Sequence, residues 1–121
     1  MKKNNKELGD EGEKIAIDFL ISRGFDILEK KYHFGKGEID IIAKDLSENF
    51  LVFIEVKLRQ NLDYGEPEYA ITSSKIKQIR KVAAFYLYQH KIEEVDCRFD
   101  VIAIVVRKNL APEINHIRNA F

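Results

Sequence analysis

Gly37-Glu38-Ile39-Asp40-Ile41-Ile42-Ala43 and, after a short polar break, Phe50-Leu51-Val52-Phe53-Ile54-Glu55-Val56-Lys57-Leu58 decide the fold of this chain. Both segments are rich in β-branched and aromatic residues and read as neighbouring strands. Apolar runs of this kind sit centrally in a sheet, covered on both faces. Residues i and i+2 of a strand share a face, so Glu55 and Lys57 project together while Ile54, Val56 and Leu58 project to the other side. Asp40 is set among Ile39, Ile41 and Ile42. Charges in such surroundings are costly to desolvate unless something neutralises them. Carboxyls side by side raise each other's pKa unless a cation separates them. Asp40, Glu55 and Lys57 are therefore the parts needed to hold Mg²⁺ and to activate a water against a phosphodiester. Spacing alone also admits a plain cross-strand ion pair on a solvent face.

Outward from these strands the pattern continues on both sides. Leu8 to Arg23 reads as a helix, with Ile15, Ala16, Phe19 and Leu20 at helical spacing and Gly24 as its stop. Gly9 and Gly12 near its start are unusual for a helix and permit close backbone approach. Phe25 to Tyr32 is a first strand, joined through Gly35-Lys36-Gly37 to the second, Glu38 to Ala43. Asp45 to Asn49 forms a turn into the third strand, Phe50 to Arg59. Gln60 to Ile71, with Gly65 and Pro67, is a loop. Thr72-Ser73-Ser74 offers caps for a second helix running to about Tyr88, with an apolar stripe of Ile76, Ile79, Ala83 and Leu87. Arg98 to Val106 reads as a buried strand, and Glu113 to Phe121 as the place of a short edge strand. This order predicts an α/β or α+β sheet flanked by helices.

The chain has 121 residues, the size of one domain with a real core. Lys+Arg and Asp+Glu are both 20, so binding to a nucleic acid must rest on how charge is distributed rather than on net charge. A single cysteine, Cys97, excludes an internal disulfide and thiolate metal clusters, and reads as a half-buried strand-edge residue. The basic start Met1-Lys2-Lys3-Asn4-Asn5-Lys6 has no apolar run behind it. Neither a signal peptide nor a membrane span is visible, so the expectation is a cytoplasmic protein without membrane contact.

The arrangement resembles the PD-(D/E)xK nuclease superfamily and, more narrowly, the bacterial YraN family, also called UPF0102. The matching stretches are Gly9-Asp10-Glu11-Gly12-Glu13, Gly37 to Ala43, Phe53-Ile54-Glu55-Val56-Lys57-Leu58-Arg59, the Gly65-x-Pro67 loop, Lys75, Arg98-Phe99-Asp100-Val101 and Ala120-Phe121. The resemblance implies a restriction-endonuclease-like core in a single domain spanning residues 1–121, with a central mixed β-sheet flanked by helices. It implies a metal-dependent DNA endonuclease using Mg²⁺ or Mn²⁺. Asp40 and Glu55 resemble the metal-binding carboxylates. Lys57 resembles the lysine that orients the attacking water and offsets charge on the phosphate. The Val56 carbonyl could supply a further ligand. Glu13 is similar to a first-helix glutamate of archaeal Holliday-junction resolvases that completes the metal site; without the resemblance it reads as a charge favoured near a helix N-terminus.

The superfamily's Pro-Asp is here Ile39-Asp40. Where many family members carry arginine this chain has His33, which as a phosphate contact would be weaker and dependent on pH near its ordinary pKa of about 6.5. Lys36, Arg59, Lys75 and His33 are the candidate nucleic-acid contacts, because phosphate binding needs basic groups gathered along a groove. The similarity to resolvases points to branched or single-strand-containing DNA, and to a homodimer. The alternative is a non-enzymatic nucleic-acid-binding or adaptor protein that works with a partner enzyme in DNA processing.

Overall fold

The computed structural model describes residues 4–60 and 71–121; the expected Gly65-x-Pro67 loop lies outside the described residues. The elements are α1 (Asn5–Ser22), β1 (Phe25–Phe34), β2 (Gly37–Asp45), β3 (Phe50–Arg59), α2 (Ser73–Gln89), β4 (Cys97–Val105) and β5 (Glu113–Ile117). The strands form one sheet in the order β1-β2-β3-β4-β5. β3 and β4 are parallel, and the other neighbours are antiparallel. A parallel pair needs a crossover, and α2 lies within it. This mixed sheet flanked by two helices is the expected α/β architecture and is compatible with a restriction-endonuclease-like core.

Each helix covers one face. On the α1 side, Ala16 and Leu20 pack with Ile41, Ala43, Val52, Ile54, Ile102 and Ile104. On the α2 side, Ile79, Val82, Ala83 and Tyr86 pack with Ile39, Ile42, Leu51 and Phe53. Period-2 alternation in β3 therefore sends Leu51 and Phe53 to α2, and Val52, Ile54, Val56 and Leu58 to α1.

β3 has the expected bounds at both ends. α1 begins earlier than expected because Asn4 caps it: Asn4 Oδ1 accepts from the Glu7 N–H at 2.8 Å, and Glu7 reaches back to the Asn4 N–H. Thr72 caps α2 as expected, its Oγ1 accepting from Lys75 N–H at 3.1 Å. The buried stripe of α2 is Ile79, Val82, Ala83 and Tyr86, so Ile76 and Leu87 of the expected stripe lie only at its margins. Two glycines mark close approaches. A Cβ at Gly12 would stand 3.0 Å from Leu58 Cβ, and one at Gly37 only 2.5 Å from Val82 Cγ2. Gly9 is different from the expectation, since nothing lies within 4 Å of its position.

Under the C-terminal half of α1 the sheet buries a polar network. Arg98 Nε and Nη2 donate to Asp100, and Nη2 also reaches Asp45 Oδ2 at 3.1 Å. Asp100 further bonds His116 Nε2 at 2.7 Å and accepts from the Asn119 N–H at 2.9 Å. Asp45 accepts from Ser47 Oγ and two backbone N–H groups of its turn. Burial opposes ionisation of Asp100, but His116, Arg98 and the Asn119 N–H together hold it below the usual carboxylate range. Arg98 and Asp100 are thus the organising pair of this network.

Candidate active site

The β2–β3 ladder runs from Asp45↔Phe50 to Ile41↔Ile54 and stops there, while β3 continues against β4 as far as Arg59↔Val105. β2 and β3 therefore part at Asp40 and Glu55, leaving a fork. Alternation in β2 also slips at this point, because Ile39 faces α2 and Ile41 faces α1. The slip lets the Asp40 side chain enter the fork. Its Oδ2 accepts from the Val56 N–H at 2.8 Å, supplying the partner that the missing ladder would have given. One oxygen of Asp40 is thereby fixed.

Glu55 projects to the α2 side, where its side chain is 13% exposed. Its Oε2 is buried and accepts no hydrogen bond. Lys75 Nζ, in the first turn of α2, stands 3.6 Å from that oxygen, close enough for an ion pair but too far for a direct hydrogen bond. Burial, a hydrogen bond with Asp40 and the Asp40 charge push Glu55 up to about 9, against the opposing pull of Lys75. Without a cation in the site, burial and the neighbouring Asp40 thus favour the protonated form of Glu55, and Lys75 favours the ionised one.

Glu13 approaches from the other side of the sheet. With Leu8, Gly9, Gly12, Asp40, Val56 and Leu58 it lines a cleft of roughly 260 Å³ between α1 and the fork. Burial is the main reason its pKa is raised, and Asp40 and Glu38 add to the effect while Lys31 opposes it. Lys31 Nζ is 4.0 Å from Glu13 and 2.6 Å from Asp10, so this lysine is committed to α1. Asp40 thus stands between Glu13 on the α1 side and Glu55 on the α2 side. Among the described residues no three His, Cys, Asp or Glu side chains gather closely enough to hold a metal ion.

A two-carboxylate centre remains. Mg²⁺ keeps several waters and takes one or two protein carboxylates. The orphaned Glu55 Oε2, beside the Asp40 carboxyl, fits that demand. Lys57 follows Glu55 on the same strand face and is half-buried. Arg59 continues that face, and its carbonyl accepts from the Val106 N–H at 2.8 Å. The remaining basic candidates separate. His33 is exposed, 3.6 Å from Glu38, and Lys36 sits in the β1–β2 turn against α2. Sequence reading brings Asp40 to Glu55 through strand pairing, but it offers no signal that Lys75 is the counterion of Glu55.

The model of the Uncharacterised protein family UPF0102 matches residues 12–104, a stretch that includes the whole fork and α2. The chain belongs to this family. A UPF0102 protein of Geotalea daltonii is 48% identical over 120 residues, covering 99% of this chain and 93% of that protein. One of Clostridioides difficile is 46% identical over 118 residues, covering 98% and 99%. One of Thermodesulfovibrio yellowstonii is 49% identical over 115 residues, covering 95% and 96%. The fork of this UPF0102 chain is therefore set in a fold shared along nearly its whole length with these relatives. No helix among the described residues is long and apolar enough to cross a membrane.

Proposed function

We propose that this chain is a metal-dependent endonuclease that hydrolyses DNA phosphodiester bonds at the β2–β3 fork. The observation that carries this reading is the buried Glu55 Oε2 without a hydrogen-bond donor, beside Asp40, in a site that also holds Lys75. A lone buried carboxylate oxygen is expensive unless a cation completes it. Mg²⁺ or Mn²⁺ held by Asp40 and Glu55, with the Val56 carbonyl and Glu13 as further candidate ligands, would supply Lewis-acid activation of a water and neutralise charge on the phosphate. Asp40 is oriented for this by the Val56 N–H. Lys57 orients the attacking water and offsets charge developing on the phosphoryl oxygens. Lys75 balances Glu55 before DNA arrives and turns its ammonium to the phosphate afterwards. Arg59, on the Lys57 face, and Lys36 and His33, set apart from it in β1 and its turn, are the further candidate contacts for the DNA strand.

A second reading has its own observation. Lys75 already compensates Glu55, and no three-ligand cluster forms among the described residues. A nucleic-acid-binding adaptor that never needs a metal would look the same. One experiment separates them: labelled duplex, single-stranded, flap and four-way-junction DNA incubated with Mn²⁺ or Mg²⁺ and wild type, Asp40→Asn or Lys57→Ala. The nuclease reading expects cuts by wild type that both variants lose while still melting as cooperatively folded proteins. Bound but uncut DNA for all three proteins would establish the adaptor and sink the nuclease.

A further inference from the structure

Phe34, Lys36, Gly37, Gln78, Lys81 and Val82 line a second groove, of roughly 390 Å³, between the β1–β2 turn and α2. Its walls are fixed in place. Gln78 Nε2 donates to the Lys36 carbonyl at 3.2 Å, tying the turn to the helix. Gly37 sits so close to α2 that a Cβ would meet Val82 Cγ2 at 2.5 Å and Gln78 Cγ at 2.9 Å. Phe34 stacks on Phe85 with ring centroids 3.8 Å apart and planes at 13°. That contact covers one face of Phe34, the ring is also packed against the α2-side core, and what remains exposed of it lines the groove. Lys36 and Lys81 are both exposed at the rim, and neither has an ion-pair partner among the described residues.

An aromatic ring and two exposed lysines lining one groove are chemistry suited to a nucleotide: the base stacks, and its phosphates meet the lysines. A base inside a duplex has both faces covered by its neighbours, so only an unpaired base can use Phe34. Position agrees with use by the same strand that enters the fork. Gly37 is three residues from Asp40 along β2, about 10 Å at strand rise. Lys81 is six residues from Lys75 along α2, about 9 Å at helix rise. A short length of extended DNA spans either distance.

We propose that this groove holds an unpaired base of single-stranded DNA, stacked on Phe34 with Lys36 and Lys81 on the adjoining phosphates. On the nuclease reading of the fork, on which only this last step rests, the groove selects DNA with a single-stranded segment beside the cleaved bond.

The test uses the full chain in EDTA, so that no bond is cut. A short single-stranded DNA carrying 2-aminopurine is titrated with protein, and both fluorescence and anisotropy are followed. Stacking on Phe34 quenches the probe, and the single strand binds at least several-fold more tightly than the same sequence as duplex. Phe34→Ala loses the quenching and weakens binding roughly tenfold, the typical worth of one stacked base. Lys81→Glu, an exposed change that spares the fold, weakens binding and makes it less steeply dependent on salt, because one fewer phosphate is neutralised. Because no bond is cut in EDTA, binding and quenching by wild type keep the groove's assignment whatever the protein does to the phosphodiester. An unquenched probe, equal affinity for duplex, or wild-type binding by folded Phe34→Ala and Lys81→Glu would overturn the proposal. Tighter binding of the same sequence as RNA would overturn its assignment to DNA.

Discussion

Glu55→Gln should make the metal-free protein more stable above pH 5, and by an amount that grows with pH. Folding raises the Glu55 pKa from 4.5 to about 9, first through burial and then through Asp40. The native state therefore keeps a proton that the unfolded chain releases above pH 4.5. Its stabilising contribution is complete below the unfolded value and fades as pH rises through the folded one. Each pH unit inside that window costs wild type on the order of 1 kcal/mol, a few kcal/mol in all between pH 5 and pH 8. That is a large part of the stability of a domain this size. Glutamine has the shape of the protonated acid and can still donate to Asp40, but it has no proton to lose. Urea unfolding in EDTA at several pH values between 5 and 9 measures the effect as the difference between the two proteins. Taking the difference removes the parallel contribution of Glu13, whose pKa is also raised. The gap should widen in favour of Glu55→Gln with rising pH. Saturating Mn²⁺ at pH 8 should recover stability in wild type and not in the variant. Parallel stability curves for the two proteins in EDTA would refute the reasoning, because they would mean that Glu55 ionises in the folded state as it does in the unfolded chain.

The two glycines of α1 should respond in opposite directions to alanine. Gly9→Ala meets nothing within 4 Å and should stabilise by roughly 0.5–1 kcal/mol, whereas Gly12→Ala forces Leu58 aside and should cost about 1–3 kcal/mol, both read by urea denaturation. Asp100→Ala leaves Arg98 buried without its main partner and should cost about 3–5 kcal/mol at neutral pH. Because the partners of Asp100 hold its pKa low, the wild-type advantage over Asp100→Ala should shrink on acidification below the ordinary aspartate range, which stability measurements from pH 6 to pH 2 would follow. Lys75→Met removes the cation that draws Glu55 down, so the Glu55 carboxyl resonance should titrate at higher pH than in wild type; an unmoved midpoint in a carbon-13 NMR titration would show that the ion pair is absent in solution.

What the sequence discloses follows from how local the cause is. β3 could be bounded at both residues because its apolar run is long and its ends are marked by polar turns. The start of α1 was displaced because the capping pair Asn4 and Glu7 lies outside the apolar periodicity that announces the helix. The buried stripe of α2 keeps Ile79 and Ala83 of the expected one but adds Val82 and Tyr86, because Tyr86 carries a hydroxyl that reads as a surface group while its ring lies buried against Phe53 and Tyr32. The network of Arg98, Asp45 and Asp100 was illegible for another reason: it joins charges from β2, β4, β5 and their turns across 53 and 16 residues of chain. Nothing local distinguishes such charges from exposed ones.

The candidate site divides in the same way. That Asp40 meets Glu55 follows from pairing two adjacent strands, and adjacent strands pair by short connections. That Glu13 and Glu55 reach Asp40 from opposite sides does not follow from spacing. It depends on α1 and α2 covering opposite faces, and the parallel β3–β4 pair is what requires a crossover there at all. Where β3 runs on beside β4 after leaving β2, a backbone N–H loses its ladder partner, and a carboxylate on the departing strand replaces it. The fork is thus a consequence of topology before it is a place for chemistry. An acid at Asp40 satisfies the backbone and also meets Glu55; an amide could do the first and would contribute no charge to the second. Asp40→Asn is for that reason the variant that separates the two roles, preserving the fork while removing the charge.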